Sequence, residues 1–458
     1  MTAAGPGRTF AQPGPAAVSI EQTDGRRPKF GVRMPSMVNR LNSEARKVAP
    51  VAANLAAHEI VKQRQLAGLS TLPLAFGESG LPVHRALKTE LAAAVGLNAY
   101  GSVDGEREFR EAVAGYFRRR GVVAEPGQVV GGPGSKPLLF AIMLALGGDV
   151  VLPRPSWVSY AFQAQLCGVR PLFTAIRPGE GGVPDPEEMT AQVTRARREG
   201  RKVGSVILTI PDNPTSTLPR PELVADLCQA ARELDLTIVS DEIYRDLVFD
   251  CDHEFPSPSR YAPERTVITT GLSKNLALGG WRVGVAFVPD PELRTRILGV
   301  ASNIWSTSSN PIQRAATLAF REPPEIIEHV TASRRLHAEV VTAMAARLAE
   351  AGIPVPKPRA GFYLYPDLEP LRANMKTPTS ADLARLLLEE HGVAVVPGSA
   401  FGEDPQALKV RMATSLLYGQ DDAQREAALA APAPTSLPWI AAALDRVTDV
   451  LGSLATSP

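Results

Sequence analysis

The chain has 458 residues, 44% hydrophobic and 21% charged, a balance that suits a globular protein with two or three cored domains. Its 49 basic and 48 acidic residues leave a net charge of +1, so no global field draws it to nucleic acid or to an anionic membrane. Three scattered cysteines, Cys167, Cys228 and Cys251, have no metal spacing and no disulfide framework, which points to a reducing compartment.

Residues 1–35 are rich in Gly, Pro and Ala, without periodicity and without the apolar stretch of a signal peptide. A flexible tail is expected there, with a short arm over 30–37. The longest apolar run, 138–146, is too short to cross a bilayer, and a cytoplasmic protein is expected. Apolar spacing predicts helices over 41–66 and 84–95, separated by LPLAFGESGLPV, a short strand running into a loop. NAYGSVDG (98–105) is a loop, and a helix follows over 106–119. Arg118, Arg119 and Arg120 read as a solvated helix end. Val129, Val130 and the turn GGPGS precede an apolar helix over 136–146. A short strand over 149–152 leads into PRPSW.

From there strand and helix alternate. Strands are predicted over 169–173, 203–210, 236–240, 266–270 and 283–288, with helices between them such as 221–234. This is the pattern of a mainly parallel sheet covered on both faces, an α/β fold. Cys251 and His253 lie close together but read as a surface loop. From 314 to 351 the pattern is helical throughout. A smaller α+β unit follows, with strands near 361–365, 393–396 and 409–413, closed by a helix over 439–454. The expected division is a tail at 1–35, an N-terminal segment of the small domain at 36–95, a large domain at 96–325 and the rest of the small domain at 326–458.

In open parallel sheets, ligands bind beyond the carboxyl ends of strands. Several polar residues fall there. Asn213 follows one predicted strand in PDNPTS. Asp241 ends another in SDEIY, with Tyr244 just after it. Ser273 and Lys274 follow the strand 266–270, and Arg282 precedes the strand 283–288. Gly134 and Ser135 stand before a helix, whose free backbone N–H groups can take a phosphate. Each alone is more simply a turn, a cap or a loop.

Together they supply what pyridoxal phosphate needs. A lysine amine can form a Schiff base with its aldehyde and afterwards move the α-proton of a substrate, which suits Lys274. An aspartate must face the ring nitrogen to keep it protonated, which suits Asp241. Asn213 and Tyr244 suit the ring hydroxyl. Arg282, Ser273 and the amides at Ser135 and Lys136 suit the phosphate. Trp157 is a flat partner for the ring face or, equally, a core tryptophan. Arg411 suits a substrate carboxylate, with a surface salt bridge as the alternative.

Ten segments in order resemble the class I/II aminotransferases, a family of fold-type-I pyridoxal-phosphate enzymes. They are AFGESGLPV, YGSVDG, GGPGSK, PRPSW, PDNPT, SDEIYRDLVF, GLSKNLALGGWRVG, GFYLYP, VAVVPGSAFG and KVRMATS. The resemblance runs from about residue 74 to the C-terminus. It implies a large domain with a mainly parallel seven-stranded sheet sandwiched by helices, a small α+β domain and a homodimer that shares its active sites. Lys274 resembles the Schiff-base lysine, Asp241 the pyridine partner, Asn213 and Tyr244 the ring-hydroxyl partners and Trp157 the stacking aromatic. Gly134, Ser135, Lys136, Ser273 and Arg282 match the phosphate cup. Tyr100 is similar to the tyrosine that reaches the neighbouring subunit's phosphate. Arg411 resembles the carboxylate-binding arginine, with Gly77 as a backbone contact beside it and Asn213 also near the substrate.

The chain departs from the family pattern at Ile210 and Ser216, where asparagine and glycine are usual, and at Lys136, where a small or amide residue is common. An extra stretch at 416–438 and the N-terminal tail both stand to border the substrate pocket. The activity expected is amino-group transfer from an α-amino acid to a 2-oxo acid. The same cofactor chemistry also serves elimination, replacement, carbon–carbon bond formation or oxidation, which is the alternative reading. A non-enzymatic DNA-binding regulator is the third, and no helix-turn-helix pattern favours it.

Overall fold

In the computed structural model, which describes residues 60–456 apart from positions 62, 65, 67 and 376, strand and helix alternate as the sequence predicts. The expected tail, the arm and most of the helix over 41–66 lie outside the described residues. A two-residue strand, β1 (Leu72–Pro73), comes first. The next seven are β2 (Val129–Gly132), β3 (Asp149–Arg154), β4 (Pro171–Ala175), β5 (Val203–Thr209), β6 (Thr237–Asp241), β7 (Thr266–Gly271) and β8 (Gly284–Phe287). These seven form one sheet in the order β2-β8-β7-β6-β5-β3-β4. All run parallel except β8, which is antiparallel to both its neighbours.

Both faces of this sheet are buried, which is why its strands read as unbroken apolar runs. Val130, Leu152, Ile207, Val239, Val267 and Ala286 pack into one core. Their neighbours Val129, Ile268 and Val285 face a second. Val151, Val206 and Ile238 face a third.

Helices α1 (Arg85–Ala94) and α2 (Arg107–Arg119) precede the sheet. Helices α3 (Ser135–Leu146), α4 (Val158–Leu166), α5 (Pro186–Arg198) and α6 (Pro221–Glu233) link its strands, and α7 (Pro291–Ile304) and α8 (Asn310–Arg321) follow. Their starts are set locally. Asp185 and Asp290 accept hydrogen bonds from the free amides of the first turns of α5 and α7, and proline occupies the first helical position of each.

The helix expected over 314–351 is broken. Glu322 adopts a left-handed conformation (φ 54°) and Pro323-Pro324 follows, so α8 stops and the 27-residue α9 (Pro324–Glu350) starts afresh. Ile326 of α9 belongs to the core beside α2 and α8, whereas Leu336, Val340, Met344 and Leu348 belong to a separate core.

That separate core holds residues of β9 (Tyr363–Leu364), α10 (Ser380–Glu389), β10 (Val393–Ala394), β12 (Val410–Ala413), α11 (Asp422–Ala430) and α12 (Pro438–Thr456), while Val396 of β11 (Val396–Pro397) packs in a smaller cluster with Phe401 and Tyr365. The strand expected over 393–396 is split: β10 pairs with β1, while β11 joins β12 and β9 in a three-stranded antiparallel sheet. Helix α1, expected with the small domain, instead buries Leu87 in the core shared with α2 and α8. The extra stretch at 416–438 forms a tight turn and α11. Leu429 and Ala431 accept hydrogen bonds from the Arg335 guanidinium on α9.

Candidate active site

The carboxyl ends of β5, β6 and β7 open into a cavity of about 570 Å3. Asp241 is the last residue of β6, Asn213 lies four residues past β5, and Ser273-Lys274 lie just past β7. Arg282 reaches the same end by a different route. Because β8 runs backwards, the residues before it lie where the parallel strands finish, and Gly284 pairs with Gly271 on one side and Gly132 on the other. Gly284 lies so close to the Gly134–Ser135 backbone that any side chain there would overlap it. Gly134 itself has φ 103°, and a side chain on it would strike the Arg282 guanidinium. The start of α3 and Arg282 are thereby pressed together.

Two side chains donate to Asp241. Tyr160 of α4 donates to its Oδ2 at 2.9 Å, and Thr269 on the adjacent strand donates to its Oδ1 at 3.3 Å. Thr209, on the other adjacent strand, is 2.8 Å from the Tyr160 hydroxyl. Burial pushes the Asp241 carboxyl up to about 6, against the pull of these hydrogen bonds. Burial, followed by repulsion from Arg411, brings the Lys274 ammonium down to about 8, and Glu78 opposes that shift. The Lys274 Nζ donates to the Gly77 carbonyl at 2.5 Å.

Arg411, on β12, is only 2% exposed. It donates to the Ala75 carbonyl at 2.6 Å and to Asn213 Oδ1 at 3.2 Å, and lies over the Tyr363 ring at 4.6 Å. Among the described residues its Nε has no partner and no carboxylate pairs with it. A buried guanidinium lacking an anion is costly unless a ligand supplies one. This favours a substrate carboxylate over the surface salt bridge.

The cavity lining brings together Lys274, Asp241, Asn213, Tyr244, Trp157, Ser135, Lys136, Ser273, Arg282, Arg411 and Gly77. Gly134 stands immediately behind it. Tyr100 is not part of this lining; it is 90% exposed on its loop. The extra stretch at 416–438, expected to border the pocket, contributes nothing to the lining, because it is folded onto α9. Ser216, where the family uses glycine, does adopt φ 58°, and its hydroxyl accepts the Tyr363 amide at 3.0 Å.

Sequence reasoning missed Tyr160, Tyr363 and Glu78. Tyr363 reaches in from the small sheet and shares a 2.8 Å hydrogen bond with Tyr244. Tyr160 lies three residues after Trp157, one helical turn into α4, and that spacing was the available signal. In the run Arg118–Arg120, Arg118 and Arg119 are exposed as expected, and Arg120 is the exception. Arg120 is not a solvated helix end but pairs with Asp246 at 2.7 Å and Glu322 at 2.6 Å, with its guanidinium 3.5 Å from the Tyr116 ring centre.

These residues fit pyridoxal phosphate. The amides at the start of α3 with Arg282, Lys136 and Ser273 suit its phosphate, the buried Asp241 carboxylate its ring nitrogen, and the buried Lys274 amine its aldehyde.

Comparison with known proteins gives the same direction. The family model for aminotransferase class I and II matches residues 68–417. An aspartate/prephenate aminotransferase of Cereibacter sphaeroides is 32% identical over 385 residues, spanning 80% of this chain and 92% of its own. The aspartate/prephenate aminotransferase of Thermus thermophilus is 31% identical over 360 residues, spanning 77% of this chain and 88% of its own. A solved structure of Thermus thermophilus aspartate aminotransferase with maleate superposes with a TM-score of 0.75 at 26% identity, covering 90% of this chain and 99% of that one.

Proposed function

The chain belongs to the family of class I and II aminotransferases and is a pyridoxal-phosphate enzyme that moves the amino group of an α-amino acid to a 2-oxo acid, and we propose that the cavity beyond β5, β6 and β7 is where it does so. The single observation that carries this placement is the convergence of Lys274, Asp241, Asn213, Arg282 and Arg411 on one cavity from four separate segments.

When bound, pyridoxal phosphate supplies an aldehyde that takes up an amine and an electron-poor ring that accepts the electron pair left when the Cα–H bond breaks. The Asp241 carboxylate holds a proton on the ring nitrogen, which keeps the ring electron-poor. Tyr244 and Asn213 donate to the ring hydroxyl oxygen and orient the ring. Trp157 covers one ring face. The amides of Ser135 and Lys136, the Ser273 hydroxyl and the Arg282 guanidinium hold the phosphate.

Arg411 pairs with the α-carboxylate of the donor, with Gly77 and Asn213 beside it, and so fixes which Cα substituent faces Lys274. The Lys274 amine, neutral more often than an exposed lysine, would take the proton from Cα and return one on the cofactor side; with water supplying the new carbonyl oxygen and the amino group left on the cofactor, the donor would depart as a 2-oxo acid. Both half-reactions use the same groups in opposite order.

Tyr100 serves a second copy of the chain in this reading. It is exposed beside Val95 and Leu97, which are exposed as well, and it has no place in its own cavity. The reading is of a cytoplasmic homodimer with shared active sites, in which the tyrosine of one protomer would reach the phosphate of its partner; the exposure of Tyr100 supports the shared site. Among the described residues no helix is long and apolar enough to cross a membrane.

The test is to mix the holoenzyme with a donor panel that includes aspartate, with no acceptor. One equivalent of 2-oxo acid per site should appear as the bound-cofactor spectrum changes. Borohydride reduction before mixing should place a mass tag on the peptide containing Lys274. A tag elsewhere, or no 2-oxo acid from any donor, sinks the assignment.

A further inference from the structure

Tyr160 has no role in the division of labour above, yet it is fully enclosed and ends on the one carboxylate that must face the ring. Its hydroxyl has a single proton. That proton goes to Asp241 Oδ2 at 2.9 Å, so the 2.8 Å contact with Thr209 Oγ1 must have the threonine as donor. The result is a directional chain, Thr209 to Tyr160 to Asp241, in which each donor strengthens the next. Its ends are fixed by the sheet, because Thr209 and Asp241 are register partners on β5 and β6. The tyrosine ring also meets Trp157 edge to face, with centroids 5.2 Å apart. One side chain therefore braces both the carboxylate beneath the cavity and the aromatic expected to cover the ring.

We propose that Tyr160 is a positioning residue for the transfer reaction: its hydroxyl keeps Asp241 ionised and aimed at the ring nitrogen. The proposal rests on the reading of the cavity given above and extends it to a residue of the cavity wall that acts through Asp241. Its physical core is a competition. Burial disfavours the Asp241 anion, and the bonds from Tyr160 and Thr269 oppose that penalty. Without the tyrosine proton, Oδ2 loses the hydroxyl that donates to it and the burial penalty is opposed by less. The carboxyl then takes its own proton closer to neutral pH, and a neutral carboxyl cannot hold a proton on the ring.

The test uses Tyr160→Phe, which keeps the ring against Trp157 and removes only the hydroxyl. Apoenzyme should bind pyridoxal phosphate about tenfold more weakly or worse, read by fluorescence titration, as expected for losing a hydrogen bond to a charged group. The acid limb of the half-reaction pH profile should move toward neutral, with kcat reduced and KM for the donor little changed. Thr209→Val keeps the bond to Asp241 but removes the donor behind it, so it should shift the same limb in the same direction by less.

If Tyr160→Phe melts earlier than the wild type but binds cofactor and titrates like it, the tyrosine is packing alone and the proposal is overturned. If Tyr160→Phe does not fold, an unshifted acid limb in Thr209→Val overturns it and a shifted one upholds it. Failure of the wild-type apoenzyme to bind the cofactor at all would instead refute the reading of the cavity on which the proposal stands.

Discussion

Lys274 titrates where its chemistry needs it. A lysine in water keeps its proton to beyond pH 10, but burial and then the nearby Arg411 bring this one down to about 8. Because the shift is downward, the proton is lost as pH rises through 8, and only the neutral amine attacks a carbonyl. The rate at which apoenzyme captures pyridoxal phosphate should therefore rise about tenfold between pH 7 and 9 and flatten above that, followed by the growth of the bound-cofactor absorbance. A flat profile over that range would mean that another group sets the rate. Arg411 makes a different demand, for shape. Arg411→Lys keeps a charge but loses the flat fork, so KM for α-amino donors should rise by about 10 to 100-fold while cofactor affinity holds, measured by steady-state kinetics and fluorescence titration.

The residues legible in the sequence are those fixed by where a strand stops. Asp241, Asn213 and Lys274 each follow an apolar run closely, and the parallel-sheet rule turns that position into a location. Tyr160 and Tyr363 were not legible for the converse reason. One looks inward from a helix face and the other crosses from a second sheet, and no local pattern records either approach.

At the scale of elements, the clearest departure is Arg120. Three arginines at a helix end look like a solvated terminus, because a sequence does not say what packs against that end. In the fold, the segment after Tyr244 supplies Asp246, the end of α8 supplies Glu322, and Asn275, next to Lys274, donates to Asp246 at 2.8 Å. The guanidinium thus joins α2, α8 and the loop that holds Lys274. Burial acts on Asp246 in one direction and Arg120 in the other, and Arg120 wins, holding the carboxyl below its usual range. Arg120→Met should lower the unfolding free energy by about 3 kcal/mol, because Asp246 would be left buried without its cation. Urea unfolding reads this directly, and a loss below 1 kcal/mol would show the network to be dispensable. The split of the strand expected over 393–396 has a similar origin. Four apolar residues in a row were legible as a strand, but that Val393 and Ala394 serve one sheet while Val396, with Pro397, serves another depends on partners far away in the chain.

Across the whole molecule, the sheet and its order follow from the alternation of elements, while assembly depends on surfaces that composition does not reveal. The exposed Tyr100 makes assembly testable. In a mixture of Lys274→Ala and Tyr100→Ala chains, each feeble alone, a heterodimer built with the tyrosine acting across the interface carries one intact site. Random pairing of equal amounts should then restore about a quarter of wild-type activity, and the holoenzyme should sediment at twice the 48.9 kDa chain mass. No recovery on mixing would place Tyr100 outside the partner's site.

The 27-residue α9 has its first turns embedded among α2 and α8 and its later turns embedded around β9 and β12. A rod of that size is about 40 Å long. Fixed at one end, it converts a tilt of a few degrees into a displacement of a few ångströms at the other, about the width of a water molecule. β12 is also where Arg411 sits, and the other end of α9 shares its core with Leu272 and Leu276, which flank Lys274, so such a tilt would change the spacing between Arg411 and Lys274.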